Sequence, residues 1–328
     1  MSRFIRYFAA LLTVAACAAA QDQPIRVDVD LVNILFTVKA KKGGALIPNL
    51  EKNNFTIQED GTPQTIQRFS RETDLPLTLG LLIDISASQE RLIDIEREAA
   101  SAFFSSVIRQ KDEAFLISFG KSTDLLQDYT NSPRQLSSAL RDLRGDGSGA
   151  VGIGPIPNSG PVPTIGTPKG TLLFDAIYLA ANEKLKSEVG RKALILITDG
   201  EDQGSTYKRA DAIEAAQRGD AIVYSIYYVD RAFYSGGGLS FGGGGGEGDL
   251  RKISEETGGH VFSVNKKHPL DEIFKEIQDE LRSQYSLGYS STNPKRDGSF
   301  RHIQIKTDNS DYRVQARAGY YATKNDAR

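Results

Sequence analysis

Cysteine is almost absent from this chain. The 328 residues include a single cysteine, Cys17, which lies within the first twenty positions. Disulfides, cysteine-ligated metals and thiol nucleophiles all need cysteines in the folded part of a protein. We therefore predict that the folded part has no disulfide and no cysteine-based metal or catalytic site.

Histidine is scarce, and the sequence offers little support for a catalytic site. The three histidines, His260, His268 and His302, come late in the chain and lack the spacing of zinc ligands. The sequence contains no Gly-x-x-x-x-Gly-Lys phosphate loop, and its glycine cluster at 242–246 follows no recognisable strand-to-helix turn. We interpret the histidines as surface or turn residues and predict that the protein is not an enzyme.

Neither sign of charge dominates. The chain has 40 Lys and Arg against 42 Asp and Glu, which gives a formal net charge of −2. Proteins that bind nucleic acid or an anionic membrane surface usually carry clustered positive charge. No long basic run is present, so we expect no nucleic-acid partner and no electrostatic membrane surface.

The N-terminus predicts export. Arg3 and Arg6 precede a short apolar run that ends in alanines at 18–20, the pattern of a signal peptide. An uncleaved anchor is the alternative, but the run is shorter than the roughly 20 residues that span a bilayer. We assign residues 1–20 to a signal peptide and expect a periplasmic, cell-envelope or extracellular protein, with no transmembrane helix in the mature chain.

Cys17 leaves two processing routes open. It follows Val-Ala-Ala, which resembles the lipobox of bacterial lipoproteins, where that cysteine carries lipid. Cleavage after Ala20 would instead leave a mature chain without cysteine. We favour ordinary secretion and keep a lipid anchor at Cys17 as the alternative.

Residues 22–75 form a β-rich segment. Apolar residues alternate with polar ones from residue 25, as in a half-buried strand. The pair Asp60-Gly61 predicts a hairpin turn, because glycine accepts the positive φ that such turns demand. The apolar residues on either side of this turn are Phe55, Ile57, Ile66 and Phe69.

Residues 76–282 alternate short apolar runs with helical patterns. The apolar runs are LTLGLLID, EAFLISFG, KALILITD and AIVYSIYYV. Strands that alternate with helices predict a parallel sheet covered on both faces. The last helical stretch has one apolar face that a sheet must cover, formed by Leu270, Ile273, Phe274, Ile277 and Leu281.

Residues 283–325 return to strand-like alternation. Neither flanking β-segment has enough strands for its own core, so the simplest arrangement pairs them in one sandwich. The predicted fold class is α/β, with a doubly wound, mostly parallel sheet inserted in a small β-sandwich built from both chain ends. Two separate β-appendages are the alternative.

Two stretches predict loops because they are rich in glycine and proline: residues 145–170 and 234–249. Long loops in compact domains are usually functional or disordered. The second stretch is so dense in glycine that we interpret it as a flexible linker.

Oxygen-bearing side chains follow the predicted strands. Asp84 ends LTLGLLID, and Ser86 and Ser88 follow it; Thr171 lies where a loop enters a helix, and Asp199 ends KALILITD. Ligands of open α/β sheets bind at the carboxyl ends of strands, so we expect these five side chains at one edge. Two carboxylates and three hydroxyls suit a hard divalent cation such as Mg²⁺, whose shell would stay open to an outside carboxylate.

This arrangement resembles the metal-ion-dependent adhesion site (MIDAS) of von Willebrand factor type A (VWA) domains. That site uses Asp-x-Ser-x-Ser, a later loop threonine and an aspartate that ends a later strand, and all five positions are matched here. The resemblance covers about residues 76–282, and the flanking segments are similar to those of exported bacterial VWA proteins. It implies a doubly wound fold and Mg²⁺, or else Mn²⁺ or Ca²⁺, that binds an Asp or Glu of a protein partner.

Each motif has a simpler explanation when it is taken alone. Asp and Ser commonly cap turns and helix starts, and Thr-Asp-Gly is mostly a turn. Their joint occurrence, in order and at strand ends, favours a metal site. We interpret Glu201 and Asp202 as solvated loop charges, and Asp175 as a solvated residue or a contact behind the ligands.

We therefore expect an exported binding or adhesion module. A structural envelope scaffold with an unused metal site is one alternative. An Mg²⁺-dependent hydrolase is another, but no Lys or Arg lies in a motif that would neutralise developing charge.

Overall fold

The computed structural model of the chain describes residues 31–71, 75–146, 170–229 and 245–322. Val32–Arg328 forms one compact unit. The predicted signal peptide and Cys17 lie outside the described residues, as do 147–169 and 230–244. Among the described helices, none has the length and apolarity needed to span a membrane.

The strands and helices are numbered in chain order. The strands are β1 Leu31–Ala40, β2 Phe55–Glu59, β3 Thr62–Gln64, β4 Arg68–Arg71, β5 Leu77–Asp84, β6 Glu113–Phe119, β7 Thr123–Thr130, β8 Arg191–Thr198, β9 Ala221–Tyr227, β10 Val261–Ser263, β11 Tyr285–Ser290, β12 Phe300–Thr307, β13 Tyr312–Ala316 and β14 Gly319–Tyr321. The helices are α1 Ile93–Val107, α2 Pro133–Arg141, α3 Leu173–Leu179, α4 Arg209–Arg218, α5 Gly245–Thr257 and α6 Leu270–Arg282. A π-helical turn, Ala180–Leu185, continues α3.

The central sheet has the strand order β10-β9-β8-β5-β6-β7. Its pairings are parallel except that β7 runs antiparallel to β6. Every residue of β5 is buried, as expected for a central strand covered on both faces. The sequence patterns did not indicate β7 and β10, because one is a half-exposed edge strand and the other has three residues.

Helices cover both faces of this sheet. Helices α1, α2 and α6 contribute to one apolar layer, in which Phe103 stacks on Phe274 with ring centroids 4.4 Å apart. Helices α3, α4 and α5 contribute to the other. The five residues predicted to form the apolar face of α6 are all buried in the first layer. Pro269 occupies the N-cap position of α6.

Two antiparallel sheets combine both ends of the chain. One has the order β13-β1-β11-β4 and the other β14-β12-β2-β3, so each contains strands from before and after the α/β region. Their apolar side chains form one shared core. The predicted fold class is therefore confirmed, and the alternative of two separate β-appendages is wrong.

The predicted hairpin forms, but it is shorter than expected. Asp60 and Gly61 have φ angles of 47° and 79° and connect β2 to β3. Ile57 lies opposite Gln64, whereas Phe69 lies in β4 of the other sheet and stacks on Tyr285. The chain leaves the hairpin after three pairs because it crosses to the second sheet, where Phe69 completes the sandwich core.

A buried carboxylate joins the sandwich strands. Glu59 on β2 accepts hydrogen bonds from the hydroxyls of Tyr289 (2.7 Å), Ser291 (2.5 Å) and Tyr320 (2.9 Å), and from Arg301 Nη1 (3.2 Å). Burial raises the pKa of Glu59, but these donors and the Arg301 charge bring it below its ordinary value. Glu59 is therefore ionised at neutral pH.

Candidate metal centre

Two carboxylates lie side by side at the carboxyl edge of the central sheet. Asp84 ends β5, and Asp199 directly follows β8, the strand that pairs with β5. Both residues are buried: Asp84 is 0% exposed and Asp199 is 3% exposed. The parallel register of the two strands therefore produces the acidic pair that the sequence pattern predicts.

Hydrogen bonds connect the Asp-x-Ser-x-Ser segment to Asp199. The hydroxyls of Ser86 and Ser88 are 3.1 Å apart, and Ser88 Oγ donates to Asp199 Oδ2 at 2.6 Å. Asp84 Oδ1 accepts the backbone N–H of Ser86 at 2.9 Å. Four of the five predicted ligands thus belong to one hydrogen-bonded cluster.

Thr198, which the sequence patterns did not indicate, orients the Asp84 carboxylate. Its hydroxyl donates to Asp84 Oδ2 at 2.6 Å and accepts the N–H of Gly200 at 3.0 Å. Gly200 has a φ of 80°, which glycine adopts without strain. The hydroxyl thereby links the end of β5 to the turn after β8.

Thr171 lies on a third loop at the same edge. Its carbonyl accepts the N–H of Gln203 at 2.9 Å, and the N–H of Leu172 donates to the carbonyl of Gly120, which follows β6. Thr171 is buried, and its hydroxyl bonds to no other side chain within the described part of the chain. The structure therefore places Thr171 beside the loop after β8 without a bond to the other four predicted ligands.

Two acidic residues brace this loop against α3. Asp175 accepts the backbone N–H groups of Thr206 and Tyr207 at 3.0 and 2.8 Å, and Asp202 accepts that of Phe174 at 3.2 Å. The interpretation of Asp202 as a solvated charge is wrong. The Asp175 carboxylate accepts from this loop backbone and from none of the five candidate ligands among the described residues, so a contact behind the ligands is not seen.

The N-terminus of α5 packs against the turn after β8. A Cβ atom added to Gly246 would lie 2.4 Å from the carbonyl oxygen of Asp199, so only glycine permits this approach. Residues 245–249 are helical, and the prediction that they belong to a flexible linker is wrong. The helix is stable despite its glycines because Leu250 and Ile253 are buried in the core.

The close approach of Gly246 predicts opposite effects for two glycines in α5. We expect Gly246→Ala to lower the free energy of unfolding by about 1–3 kcal/mol, because the added methyl group overlaps backbone. Gly248→Ala meets no atom within 4 Å in the same helix and should instead stabilise the protein by up to about 1 kcal/mol. Urea unfolding of both variants is the measurement, and equal effects of both substitutions would contradict the packing described.

The cluster has the electrostatics of a cation site. Burial, and then the nearby charge of Asp199, raise the pKa of Asp84 to about 7. Among the described residues, Asp84 forms no ion pair, and no group of three or more His, Asp or Glu side chains is arranged to hold a metal. Two carboxylates supplemented by hydroxyls are therefore the available donors, and this all-oxygen set fits a hard divalent cation.

The histidines lie away from this cluster. His260 is partly buried beside Glu280 at 3.4 Å, His268 contacts Glu276 at 2.8 Å, and His302 is exposed on β12. Burial, and then the charge of Lys39, lower the pKa of His260 to about 3. His260 thus differs from the surface position expected for it.

No protein-family model matches the chain, and no curated protein matches it significantly. Similar solved structures include BatB from Bacteroides thetaiotaomicron, with 18% identity and a TM-score of 0.43 over 62% of this chain and 97% of that one. The SpRpn10 VWA domain has 14% identity and a TM-score of 0.39 over 62% of this chain and 95% of that one. Proximal thread matrix protein 1 from the mussel byssus, with a zinc-occupied MIDAS motif, has 15% identity and a TM-score of 0.42 over 65% of this chain and 50% of that one. All three TM-scores are below 0.5, and the α/β assignment therefore rests on the strand order of this chain itself.

Proposed function

We propose that this chain is an exported VWA-type binding protein. Its ligands for Mg²⁺ would be Asp84, Ser86, Ser88, Thr171 and Asp199. Mn²⁺ and Ca²⁺ are the other candidate ions. A bound cation would supply positive charge at the sheet edge and attract an Asp or Glu of a protein partner.

One observation carries this proposal: the hydrogen-bonded chain Ser86–Ser88–Asp199 at the buried end of the sheet. It collects oxygen donors from two separate loops beside Asp84, whose ionisation is opposed by burial and by its neighbour. A bound divalent cation would lower the pKa of both carboxylates, because it favours their ionised form. The export signal, the alternative lipid anchor at Cys17 and the absence of enzyme activity stay predictions from the sequence.

The test is a calorimetric titration of Mg²⁺ and Mn²⁺ into the mature chain. We expect saturable binding to one site, weakened at least tenfold by Thr171→Val, which keeps the side-chain shape but removes the hydroxyl. Ser122→Ala is the matched control, because it removes an exposed hydroxyl from another loop at this edge and should leave the affinity unchanged.

A partner carboxylate can be imitated by acetate. We expect acetate, but not acetamide, to increase the apparent affinity for the metal, because the anion completes the cation's shell. Absence of metal binding with and without acetate would contradict the proposal and favour the scaffold alternative, in which partner binding survives chelation.

A further inference from the structure

Glu96 is a buried carboxylate that is not among the five proposed metal ligands. It lies in the first turns of α1 on the same face as Ile93 and Ala100, and its exposure is 0%. Neither carboxylate oxygen has a hydrogen-bond partner among the described residues. A buried polar group without partners costs free energy, so such a residue indicates that a donor or a charge is bound nearby.

Gln89 presents a second buried acceptor in the same region. Its exposure is 0%, its Nε2 donates to the carbonyl of Tyr228 at 3.1 Å, and its Oε1 has no partner among the described residues. The backbone N–H of Gln89 donates to the carbonyl of Ser86, which fixes the loop that carries the proposed ligands. Three acceptor oxygens therefore lack donors behind this loop and the following helix.

The position of α1 brings Glu96 towards the metal centre. Successive backbone hydrogen bonds connect the ligand loop to Glu96: the N–H of Gln89 donates to the carbonyl of Ser86 (2.9 Å), that of Leu92 to Gln89 (2.7 Å), and that of Glu96 to Leu92 (3.0 Å). Burial, and then the charges of Asp84 and Asp199, raise the pKa of Glu96 well above its ordinary value. No Lys or Arg pairs with Glu96 in the described part of the structure.

Water bound to a divalent cation has the properties that these acceptors require. Mg²⁺ usually keeps several waters in its shell, and a metal-bound water donates its protons outward. The two oxygens of Asp84 already accept the Ser86 N–H and the Thr198 hydroxyl, which leaves Glu96 as the unbonded carboxylate.

We propose that Glu96 is a third carboxylate of this metal centre, which accepts hydrogen bonds from water bound to the cation, with Gln89 Oε1 beside it. This inference rests on the proposed function. Glu96 holds the water in place and adds negative charge without contacting the metal. The opposite side of the cation stays open to a partner's carboxylate.

The test compares two helix α1 carboxylates by Mg²⁺ calorimetry. Glu96→Gln removes the charge at nearly constant shape, and we expect it to weaken Mg²⁺ binding by about 10- to 100-fold. Glu98→Gln removes an exposed charge two residues away on the same helix and should leave the affinity within about twofold. In EDTA, Glu96→Gln should melt at or above the wild-type temperature, because the Glu96 carboxylate has no hydrogen bond among the described residues that the substitution could remove.

The outcomes separate this inference from the proposed function. Wild-type protein without Mg²⁺ binding would contradict the proposed function itself. Wild-type protein that binds, with Glu96→Gln binding equally tightly, would overturn only the role of Glu96. If Glu96→Gln does not fold, two further measurements apply: the Mg²⁺ affinity of Glu96→Met and a structure of the Mn²⁺-loaded wild type. Unchanged affinity in Glu96→Met would overturn the role of Glu96. A structure without a water between Mn²⁺ and Glu96 would overturn it as well.

Discussion

Asp84→Asn is expected to abolish measurable Mg²⁺ binding, a loss of more than about 100-fold, and to change the pH dependence of stability. The ion loses a negative ligand at the buried centre of the site, where charge cannot be replaced by solvent. Calorimetry measures the first effect directly. Asp94→Asn, an exposed carboxylate on α1, is the control and should bind Mg²⁺ as the wild type does.

The pH effect follows from the raised pKa of Asp84. Its value is about 7 in the folded protein against 3.8 for the unperturbed group, so the folded state holds an extra proton between these values. In EDTA, the stability contribution of Asp84 is present below about pH 4 and is lost as the pH rises to about 7. The melting temperature of the wild type in EDTA should therefore fall relative to that of Asp84→Asn over this range, and Mg²⁺ should restore it above pH 7.

A parallel pH dependence of both proteins in EDTA would contradict this assignment. Glu96 also makes the stability in EDTA fall as the pH rises, because burial raises its pKa too. The difference between wild type and Asp84→Asn, measured by thermal unfolding at each pH, therefore combines the titration of Asp84 with the part of the Glu96 shift that the Asp84 charge causes.

Glu59→Gln is expected to lower the free energy of unfolding by about 3 kcal/mol. Removal of one member of a buried ion pair leaves the other charge, here Arg301, without compensation. Arg301 keeps an Nη1 hydrogen bond to the carbonyl of Asn293. We therefore expect the decrease in unfolding free energy to lie at the lower end of the range for broken buried ion pairs. Urea unfolding measures the effect, and Asp311→Asn, an exposed carboxylate in the same sandwich, should change stability by less than about 0.5 kcal/mol.

This loss should also depend on pH. The folded-state pKa of Glu59 lies below its ordinary value of 4.5, so its stabilising contribution is present above pH 4.5 and is lost as the pH falls through the folded pKa. The difference in unfolding free energy between wild type and Glu59→Gln should therefore become smaller below pH 4.5. A constant difference down to pH 2 would show that the charge of Glu59 does not stabilise the sandwich.

Local sequence was sufficient to predict the main elements of the fold. The four apolar runs became β5, β6, β8 and β9, because buried central strands are continuously apolar. The apolar face of α6 was predicted because helical spacing places its side chains on one side. The order of Asp84, the two serines, Thr171 and Asp199 at strand ends also predicted that these residues share one edge.

Other features depended on contacts between distant residues. Thr198 reaches Asp84 across 114 positions in the chain, and the short pattern Thr-Asp-Gly predicted no more than a turn. Glu96 is a charged residue in the apolar face of α1, and this irregularity was the signal that could have indicated it.

The sequence by itself thus determined the fold class and five candidate ligands, because strand periodicity and the order of polar residues at strand ends are local properties. Only the tertiary structure decided that α5 begins within the glycine-rich stretch and that Asp202 braces a loop. It alone brought Thr198 and Glu96 to the site. Hydrogen-bond partners, burial and the charges that neighbours exert on one another arise when distant segments pack together.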